Sequence, residues 1–274
     1  MNNLNVSIVT YRTDTAELKA CLDSLLACDA VQRVDIVDNG NEQRLARFCS
    51  ESYPDRVEYI ANNNVGYGAA HNISLRRSLD SEIDYHLVIN SDVYFDPGTL
   101  ETCLEYIDAH PSVGQLIPHT IFPDGRFQPV CHRIPSPLDL IMHRFMPKSL
   151  FRRWRDGYEM LDCDLTKPLN VPYHHGCFML FRLDALREIG LFDERFFMYP
   201  EDIDITRRVH QRYETIYFPG ATIVHAHRAE SRTNFKLLRI HAFNMLRYFC
   251  KWGFFFDKTR RNANRDLRRR LGRL

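Results

Sequence analysis

Two adjacent carboxylates follow a proline near residue 200. In the run from 190 to 208, aromatic residues lead up to Pro200, and Glu201 and Asp202 come directly after it. If Pro200 is the first helical residue, the i, i+3, i+4, i+7 spacing of the apolar residues places Asp202 on the inward face. Glu201 and Asp204 then point away from Asp202. Placing a carboxylate on an inward face costs desolvation free energy, so such a residue is expected where a partner or a reaction requires it. Asp202 is therefore a candidate general base, although the helix dipole alone also favours acids in a first helical turn.

A second group of polar residues has the chemistry to hold a divalent cation. Asn90, Ser91 and Asp92 directly follow an apolar, strand-like run. A carboxylate at the end of a strand offers oxygen to Mg²⁺ or Mn²⁺, while phosphate groups complete the coordination shell. His225 and His227 close a later predicted strand, and alternation sends both imidazoles to the same side. Either histidine is a candidate ligand or a structural residue.

These side chains need a scaffold, and the sequence alternates strand patterns with helix patterns. The predicted strands lie at 5–10, 34–38, 57–61, 86–90, 113–118, 177–181, 215–218 and 222–227. The predicted helices lie at 14–28, 42–50, from about 67, at 97–110, at 184–189 and from 200. This alternation predicts an α/β fold with a Rossmann-like, mostly parallel central sheet and helices on both faces. Between 121 and 169 the periodicity is lost among prolines, which indicates a lid or an insertion.

Ligands of such sheets bind beyond the carboxyl ends of the strands. Polar residues follow the first four predicted strands: Thr10, Tyr11, Asp38, Asn39, 62–64 and 90–92. Each of them alone is ordinary turn chemistry, but four converging strand ends indicate one binding crevice. The glycine-rich loops of dinucleotide and Walker-type sites are absent from the sequence, and Gly66 and Gly68 are too few for a phosphate cradle. We therefore expect a metal ion to neutralise any bound phosphate.

Composition sets the broad class of the protein. The chain has 274 residues, of which 45% are hydrophobic, enough for one large domain or a domain with an appendage. Its eight cysteines include no C-x-x-C pair, which argues against a zinc ribbon or a disulfide scaffold and favours a reducing cytoplasm. The N-terminus resembles no signal peptide, and no apolar run is long enough to span a membrane.

The C-terminal segment, residues 232–274, is strongly basic. It holds thirteen Lys and Arg against two acids, a net charge of +11, so residues 1–231 carry about −10 of the overall +1. Aromatic residues and leucines mix with the cations at 235–256, which predicts an amphipathic helix on an anionic membrane surface. The alternatives are docking on its own domain or contact within a homo-oligomer. Nucleic acid is disfavoured because no recognition motif accompanies the charge.

Seven segments of the chain resemble the inverting glycosyltransferases of family 2, which have a GT-A fold, and within them the bacterial rhamnosyltransferase-like enzymes. The segments are VSIVTY (6–11), VDNG (37–40), NVGYGAAHN (64–72), NSDV (90–93), GCFMLFR (176–182), GLFDERFFMYPEDIDITR (190–207) and PGATIVHAHRAES (219–231). They follow the family's order over about residues 5–231, which is far more specific than any single motif. Arg12 departs from a common Asn, and Asn90 replaces the first acid of the D-x-D metal motif.

The resemblance implies a role for each candidate residue. The nucleotide base and ribose would contact Thr10, Tyr11, Asp38 and Asn39. The rest of the donor site would be lined by Asn64, Gly66, Asn72, Asn90 and Ser91. Asp92 and His225 would hold Mg²⁺ or Mn²⁺ under the diphosphate, weakly and in dependence on the nucleotide, and His227 lies close enough to replace His225. Asp202 would be the catalytic base, and Glu201 would support it.

The expected protein is a metal-dependent, inverting transferase. Its glycosyltransferase domain would span 1–231, with a nucleotide-sugar-binding half at 1–118 and an acceptor half at 119–231 that carries the insertion 121–169. The basic extension at 232–274 would hold the enzyme peripherally on the inner face of the cytoplasmic membrane. By resemblance, the donor would be dTDP-rhamnose and the acceptor a lipid-linked saccharide in O-antigen or capsule synthesis.

Three alternatives remain at this stage. In the first, the donor is another nucleotide sugar, of the UDP-hexose type. In the second, the chain is a sugar-phosphate nucleotidylyltransferase, although residues 11–16 lack the glycine-rich basic loop that such enzymes need. In the third, the chain is a non-catalytic module that binds nucleotide sugars, although such a module needs neither Asp92 nor Asp202, and both are present.

Overall fold

The computed structural model describes residues 3–139, 142, 152–161, 163–226 and 235–272. The strands are β1 (Leu4–Thr10), β2 (Val31–Asp38), β3 (Val57–Ala61), β4 (Tyr85–Ile89), β5 (Val93–Tyr94), β6 (Val113–Ile121), β7 (Cys131–His132), β8 (Leu169–Asn170), β9 (Tyr173–His174), β10 (Phe178–Arg182) and β11 (Glu214–His225). The helices are α1 (Thr15–Leu26), α2 (Gln43–Ser52), α3 (Tyr67–Leu79), α4 (Thr99–Ala109), α5 (Arg152–Tyr158), α6 (Leu183–Ile189), α7 (Glu201–His210), α8 (Phe235–Trp252) and α9 (Lys258–Arg270).

Nine strands of the described residues form one mixed sheet. Its order is β3-β2-β1-β4-β10-β6-β11-β5, and β8 pairs with β11. The first four strands in this order are parallel, as predicted, and so are β6 and β11. β10 enters between β4 and β6 and runs antiparallel to both. The first strands all end at one edge, which brings the polar residues after β1, β2, β3 and β4 together.

The sequence predicts separate strands at 215–218 and 222–227, but in the structure these residues belong to a single strand, β11, which ends at His225. Its pairing with β6 shifts register between Phe218 and Thr222, and this irregularity interrupts the apolar alternation that the sequence shows. His227, the other candidate ligand, lies outside the described residues.

Helices cover both faces of the sheet, as predicted. On β4, Leu87 and Ile89 belong to the core shared with α1 and α4, while Val88 belongs to the core shared with α3, α6 and α7. Because neighbouring side chains of a strand point to opposite faces, a continuous apolar run indicates a strand buried on both sides. The predicted α/β class is confirmed.

The C-terminal segment docks on the domain. The sequence predicted one amphipathic helix at 235–256, but the chain breaks at Gly253, whose φ of +97° suits glycine, and Asp257 caps α9 by accepting from the Arg260 N–H. Tyr248 and Phe249 of α8 are buried in a cluster with Phe196, Ile203 and other apolar residues. None of the helices in the described part of the chain combines the length and apolar character needed to cross a bilayer.

The stretch at 121–169 keeps little regular structure. Its described residues hold the end of β6, the short strand β7, the seven-residue helix α5 and the first residue of β8. β7 pairs with β9, outside the main sheet. Part of the predicted insertion, residues 140–141, 143–151 and 162, lies outside the described residues.

Candidate active site

A cavity of about 360 Å³ opens at the carboxyl ends of the first strands. It is lined by Val9, Tyr11, Arg12, Thr13, Asp14, Glu17, Tyr67, Asn90, Ser91, Asp92, His175, Gly176, Met198, Tyr199, Glu201, Asp202 and His225. The structure thus brings both predicted catalytic residues, both predicted metal ligands and three predicted donor contacts into one cavity. The predicted donor residues Thr10, Asp38, Asn39, Asn64, Gly66 and Asn72 do not line this cavity in the described structure.

α7 delivers two carboxylates to the cavity from its first turn. Pro200, predicted as the first helical residue, is the N-cap residue instead, and the helix begins at Glu201. The prediction that Glu201 points away from Asp202 is wrong: both side chains line the same cavity, and Glu201 is only 6% exposed. The helical wheel missed this because the first turn of α7 is enclosed by the protein and has no free outer face.

Asp202 is fixed by three donors. Its Oδ2 accepts from the Gly176 N–H at 3.2 Å and from the Tyr173 hydroxyl at 3.4 Å, and its Oδ1 accepts from the Ile203 N–H at 2.8 Å. A Cβ atom on Gly176 would stand 3.3 Å from the Asp202 Cβ, so a small residue is needed for this approach. The carboxylate is therefore oriented before any substrate arrives.

Burial changes the acidity of the pair. Desolvation and the neighbouring Asp202 carboxylate raise the pKa of Glu201 well above its usual range. Desolvation also raises the pKa of Asp202 to about 6, against the hydrogen bonds that favour its ionised form. Two close carboxyl groups in a desolvated site resist double ionisation, so Asp202 ionises first and Glu201 holds the remaining proton more strongly.

The outer face of α7 is held by the C-terminal helices. Arg207, only 1% exposed, forms an ion pair with the buried Asp257 and lies 3.1 Å from the Tyr248 hydroxyl. Asp204 accepts from the Arg208 guanidinium at 2.9 Å and from the Trp252 indole at 2.7 Å. These contacts fix the position of α7, the helix that carries Asp202, from the side opposite the cavity.

The two predicted metal ligands face each other across the cavity floor. His225 Nε2 lies 3.4 Å from Asp92 Oδ1, and the imidazole is 1% exposed. Burial lowers the pKa of His225, but Cys177 and Asp92 outweigh it and raise that pKa to about 10. On the other side of the ring, Gln128 Nε2 lies 3.0 Å from Nδ1. The imidazole orientation is therefore set from both of its nitrogen atoms.

Asp38 organises the loop after β2. Its Oδ1 accepts from the Thr10 hydroxyl at 3.0 Å and the Gly40 N–H at 2.9 Å, and its Oδ2 accepts from the Glu42 N–H at 2.6 Å and the Tyr59 hydroxyl at 2.8 Å. Both Thr10 and Asp38 are buried. Tyr11, by contrast, is 52% exposed at the cavity rim.

The asparagine-rich loop after β3 is tied to its neighbours. Asn39 accepts from the Asn62 amide at 2.9 Å and donates to the Gly66 carbonyl at 3.3 Å, and Asn64 accepts from the Gly66 N–H at 3.4 Å. Gly66 has φ of +95°, and a Cβ there would lie 2.1 Å from the Phe197 carbonyl oxygen. Only glycine fits where this loop crosses the segment that leads to α7.

The predicted residue Asn72 and the neighbouring Tyr67 make structural contacts. Asn72 is buried and exchanges hydrogen bonds with the backbone of Phe192, accepting from its N–H at 3.0 Å and donating to its carbonyl at 2.9 Å. The Tyr67 hydroxyl lies 3.0 Å from Asn90 Oδ1 and 2.7 Å from the Gly176 carbonyl. Asn72 thus fixes the approach to α7, while Tyr67 links the ends of β4 and β10.

Sequence reasoning missed several residues of the site. Tyr67, Tyr173 and Gln128 contact the predicted residues as described above, and His175 lines the cavity. The nearest ligand atoms of His175, Cys177 and His225 all lie within 4.8 Å of one another. The run His-His-Gly-Cys before β10 was the available signal, since two imidazoles and a thiol at a strand entrance are an unusual concentration of ligand atoms.

The sequence of the chain is similar to those of known glycosyltransferases. The family model "Glycosyl transferase family 2" matches residues 6–190, more than half of the chain. The chain is 30% identical over 244 residues to the N-acetylglucosaminyl-diphospho-decaprenol L-rhamnosyltransferase of Mycobacterium tuberculosis (strain ATCC 25618 / H37Rv), covering 83% of this chain and 77% of that protein. It is 24% identical over 243 residues to rhamnosyltransferase WbbL of Escherichia coli (strain K12), covering 85% and 88%.

Solved structures agree in fold. GalNAc-T7 with UDP, GalNAc and Mn²⁺ matches with a TM-score of 0.62 at 12% identity, over 85% of this chain and 44% of that one. The mannosyltransferase PcManGT from Pyrobaculum calidifontis, in complex with GDP-Man and Mn²⁺, matches with a TM-score of 0.60 at 19% identity, over 91% and 63%. The chain thus spans less than two thirds of either. The predicted GT-A fold and the similarity to rhamnosyltransferases are confirmed, and the chain belongs to glycosyltransferase family 2.

Proposed function

We propose that this chain moves a sugar from a nucleotide donor to a saccharide acceptor with inversion at the anomeric carbon. The specific proposal is rhamnose from dTDP-rhamnose, transferred to a lipid-linked saccharide in bacterial surface polysaccharide synthesis, as O-antigen or capsule. The names of the two relatives, both rhamnosyltransferases, support the sugar, and the diphospho-decaprenol in one name supports the acceptor class.

One observation carries the proposal: an oriented carboxylate of raised pKa shares a cavity with a carboxylate–imidazole pair. Asp202 and the pair formed by Asp92 and His225 all line this cavity. A sugar hydroxyl is a poor nucleophile, so it needs a base, and a diphosphate leaving group needs compensation of its charge. The cavity offers residues for both tasks.

The proton moves to Asp202. As the acceptor oxygen bonds to the anomeric carbon, the hydroxyl proton passes to the Asp202 carboxylate, and the bond from that carbon to the diphosphate oxygen breaks. The Gly176 N–H and the Tyr173 hydroxyl hold the carboxylate in orientation, which lowers the entropic cost of reaching this geometry. Glu201, still protonated, keeps a second negative charge away from the base and so supports it.

The residues fit a divalent cation. Ligands bound at right angles with bonds of about 2.1 Å lie roughly 3 Å apart, close to the 3.4 Å between Asp92 Oδ1 and His225 Nε2. Gln128 Oε1 is buried, and among the described residues it has no hydrogen-bond partner. With its amide turned, Gln128 would accept the Nδ1 proton and leave Nε2 free for the ion. Mg²⁺ or Mn²⁺, when bound, offsets charge on the leaving diphosphate.

In this proposal some of the predicted donor-site residues contact the donor, and the others hold the loops that surround it. Tyr11 offers an exposed ring to the nucleobase, and Asn90 and Ser91 line the cavity beside Asp92. The carboxylate of Asp38 already accepts four internal hydrogen bonds, so together with Thr10 it shapes the loop that receives the ribose. Asn39, Asn64, Gly66 and Asn72 set the path of the loop after β3 and of the segment before α7.

A donor panel tests the function. We expect dTDP-rhamnose with Mn²⁺ to raise the melting temperature, since a ligand at 100 times its Kd adds about 2.7 kcal/mol to the free energy of unfolding. UDP-hexoses serve as the alternative donors. Asp92→Ala should lose the Mn²⁺-dependent part of the shift, whereas Asp96→Ala, outside the cavity, should keep it. Stabilisation by no nucleotide sugar, with no transfer to any saccharide acceptor, would contradict the proposal.

The pH dependence of transfer follows from the raised pKa of Asp202. The base works only when ionised, so kcat/KM should fall about tenfold per pH unit below pH 6 and level off above it. The free energy of unfolding should change in the opposite direction. It should fall as the pH rises through about 6, because ionising a carboxyl group whose pKa is raised by burial destabilises the folded state. Transfer assays and thermal unfolding from pH 4.5 to 8 measure both. A rate independent of pH below 6 would argue against Asp202 as the base.

We propose also that the C-terminal helices rest on an anionic membrane. Four large apolar side chains of this region are exposed: Phe243 (55%), Leu246 (51%), Phe255 (71%) and Phe256 (90%). Arg247 lies 4.3 Å from the Phe243 ring centroid, and Arg261 lies 5.8 Å from that of Phe256. Apolar side chains flanked by cations suit an interface of acyl chains and acidic headgroups, where a lipid-linked acceptor would be found.

Surface substitutions test this better than truncation, because removing the segment also removes the partners of Arg207. Burying one phenylalanine is worth about 1.5–3 kcal/mol, so Phe255→Ser with Phe256→Ser should lower binding to anionic vesicles by roughly tenfold or more. Leu138→Ser removes a comparably exposed side chain, 63% exposed, outside these helices and should not lower it. Equal binding of the double variant and the original chain in a vesicle sedimentation assay would overturn the assignment.

A further inference from the structure

We propose that His175, Cys177 and His225 form a binding site for a thiophilic divalent cation of the Zn²⁺ class, on the inner wall of the cavity. The ligand atoms are two imidazole nitrogens and one thiolate sulfur. The site is distinct in chemistry from the oxygen-preferring ion of the proposed function, and it stands on its own geometry whether or not sugar transfer is correct.

The spacing of the ligand atoms supports this site. They lie within 4.8 Å of one another. Zinc bonds of about 2.0–2.1 Å to nitrogen and 2.3 Å to sulfur place tetrahedral ligands roughly 3.3–3.7 Å apart, so side-chain shifts of about 1 Å close the set around an ion. The backbone N–H of Cys177 donates to His175 Nδ1 at 3.3 Å, which already fixes the His175 imidazole at the turn into β10.

The ligand types select the ion. Thiolate and imidazole together favour Zn²⁺ and Co²⁺, whereas Mg²⁺ prefers carboxylate, carbonyl and water oxygens. Cys177 is fully buried and His225 is 1% exposed, while His175 is partly exposed on the cavity wall, so the ion enters from the cavity. On binding, one sulfur–metal and two nitrogen–metal bonds form, the S–H bond of Cys177 and one N–H bond of the protonated His225 imidazole break, and both protons pass to solvent.

Competition for one imidazole is the functional consequence. His225 Nε2 also lies 3.4 Å from Asp92 Oδ1, so the same imidazole serves either the thiophilic ion or an ion bound by Asp92. Occupation by Zn²⁺ withdraws His225 from the Asp92 side of the cavity. The site therefore makes the protein sensitive to zinc even though the sequence has no zinc motif.

Cobalt spectroscopy tests the site on full-length, metal-free protein. Co²⁺ should bind with one equivalent and give a sulfur-to-cobalt charge-transfer band, and Zn²⁺ should displace it. Cys177→Ser should remove this band. His175→Gln should weaken zinc binding, measured against a chromophoric chelator, by at least the roughly 10- to 100-fold that indirect ligand changes cost.

Cys250→Ser is the matched control, because it removes an exposed thiol far from these residues in sequence and should leave the band and the affinity unchanged. Thermal unfolding checks that each variant is folded; if the buried Cys177→Ser variant fails to fold, His175→Gln decides. No charge-transfer band in the original chain, a band that persists in folded Cys177→Ser, or zinc affinity unchanged in His175→Gln would overturn the proposal. Sugar transfer in Mg²⁺ is measured separately, so its failure and the failure of this site are distinguishable.

Discussion

Replacing Asp202 with asparagine is expected to lower the rate of sugar transfer by roughly 100- to 10,000-fold, the usual contribution of a general base. The amide keeps the size of the side chain and can still accept from the Gly176 N–H and the Tyr173 hydroxyl. It cannot take a proton from the acceptor hydroxyl. The loss should therefore fall on kcat, while the dissociation constant for the donor, measured by titration calorimetry, stays within a few-fold of its original value.

Glu201→Gln is the matched control for this experiment. In the proposed mechanism Glu201 already carries a proton near pH 7, and glutamine mimics that neutral state. We expect Glu201→Gln to keep the transfer rate within about tenfold and to leave the acidic limb of the pH profile near pH 6, because the neighbour of Asp202 is neutral in both proteins. If Asp202→Asn stays active while Glu201→Gln is inactive, the roles of the two carboxylates are reversed.

Replacing Asp257 with alanine is expected to be the most destabilising single change outside the sheet core. It leaves the Arg207 guanidinium buried without its counter-charge, and breaking a buried ion pair in this way costs about 3–5 kcal/mol. Urea unfolding should show a lower midpoint. The exposed pair Lys19–Asp23 provides the comparison, since Lys19→Ala should cost no more than about 1 kcal/mol.

A second variant separates the cost of an unpaired charge from the loss of packing. Asp257→Leu combined with Arg207→Met removes both charges at similar volume, and it should recover part of the stability that Asp257→Ala loses. Both variants should also impair transfer, because Arg207 lies on the helix that carries Asp202. If Asp257→Ala unfolds at the same urea concentration as the original chain, the C-terminal helices do not secure α7 in the way described.

Much of the site could be predicted because its residues directly follow strands that the apolar runs of the sequence reveal. The apolar runs before Thr10, Asp38 and Asn90 mark parallel strands, and parallel strands end at one edge. Asp92 and Asp202 were predicted from this geometry together with an acid at a helix start. The structure places these two side chains in one cavity although they are 110 positions apart in the chain.

The rest depended on tertiary contacts that no local pattern encodes. The inward turn of Glu201 results from enclosure of the first turn of α7, and the burial of Arg207 results from a partner fifty residues later. Likewise, the antiparallel direction of β10 follows from its insertion between β4 and β6, since its apolar run alone fits either direction. The ligand cluster around Cys177 joins the start of one strand to the end of another.

The anchoring of α7 limits how this enzyme can be recombined with its relatives. The family model ends at residue 190, before α7 begins, so a chimera designed on that boundary would take the proposed base Asp202 from one parent and the proposed nucleotide site from the other. α7 is fastened by Arg207 to Asp257 and by Asp204 to Trp252. An exchange that aims at a new acceptor should therefore transfer α7, α8 and α9 together as one segment. A junction between these helices would leave a buried charge without its partner.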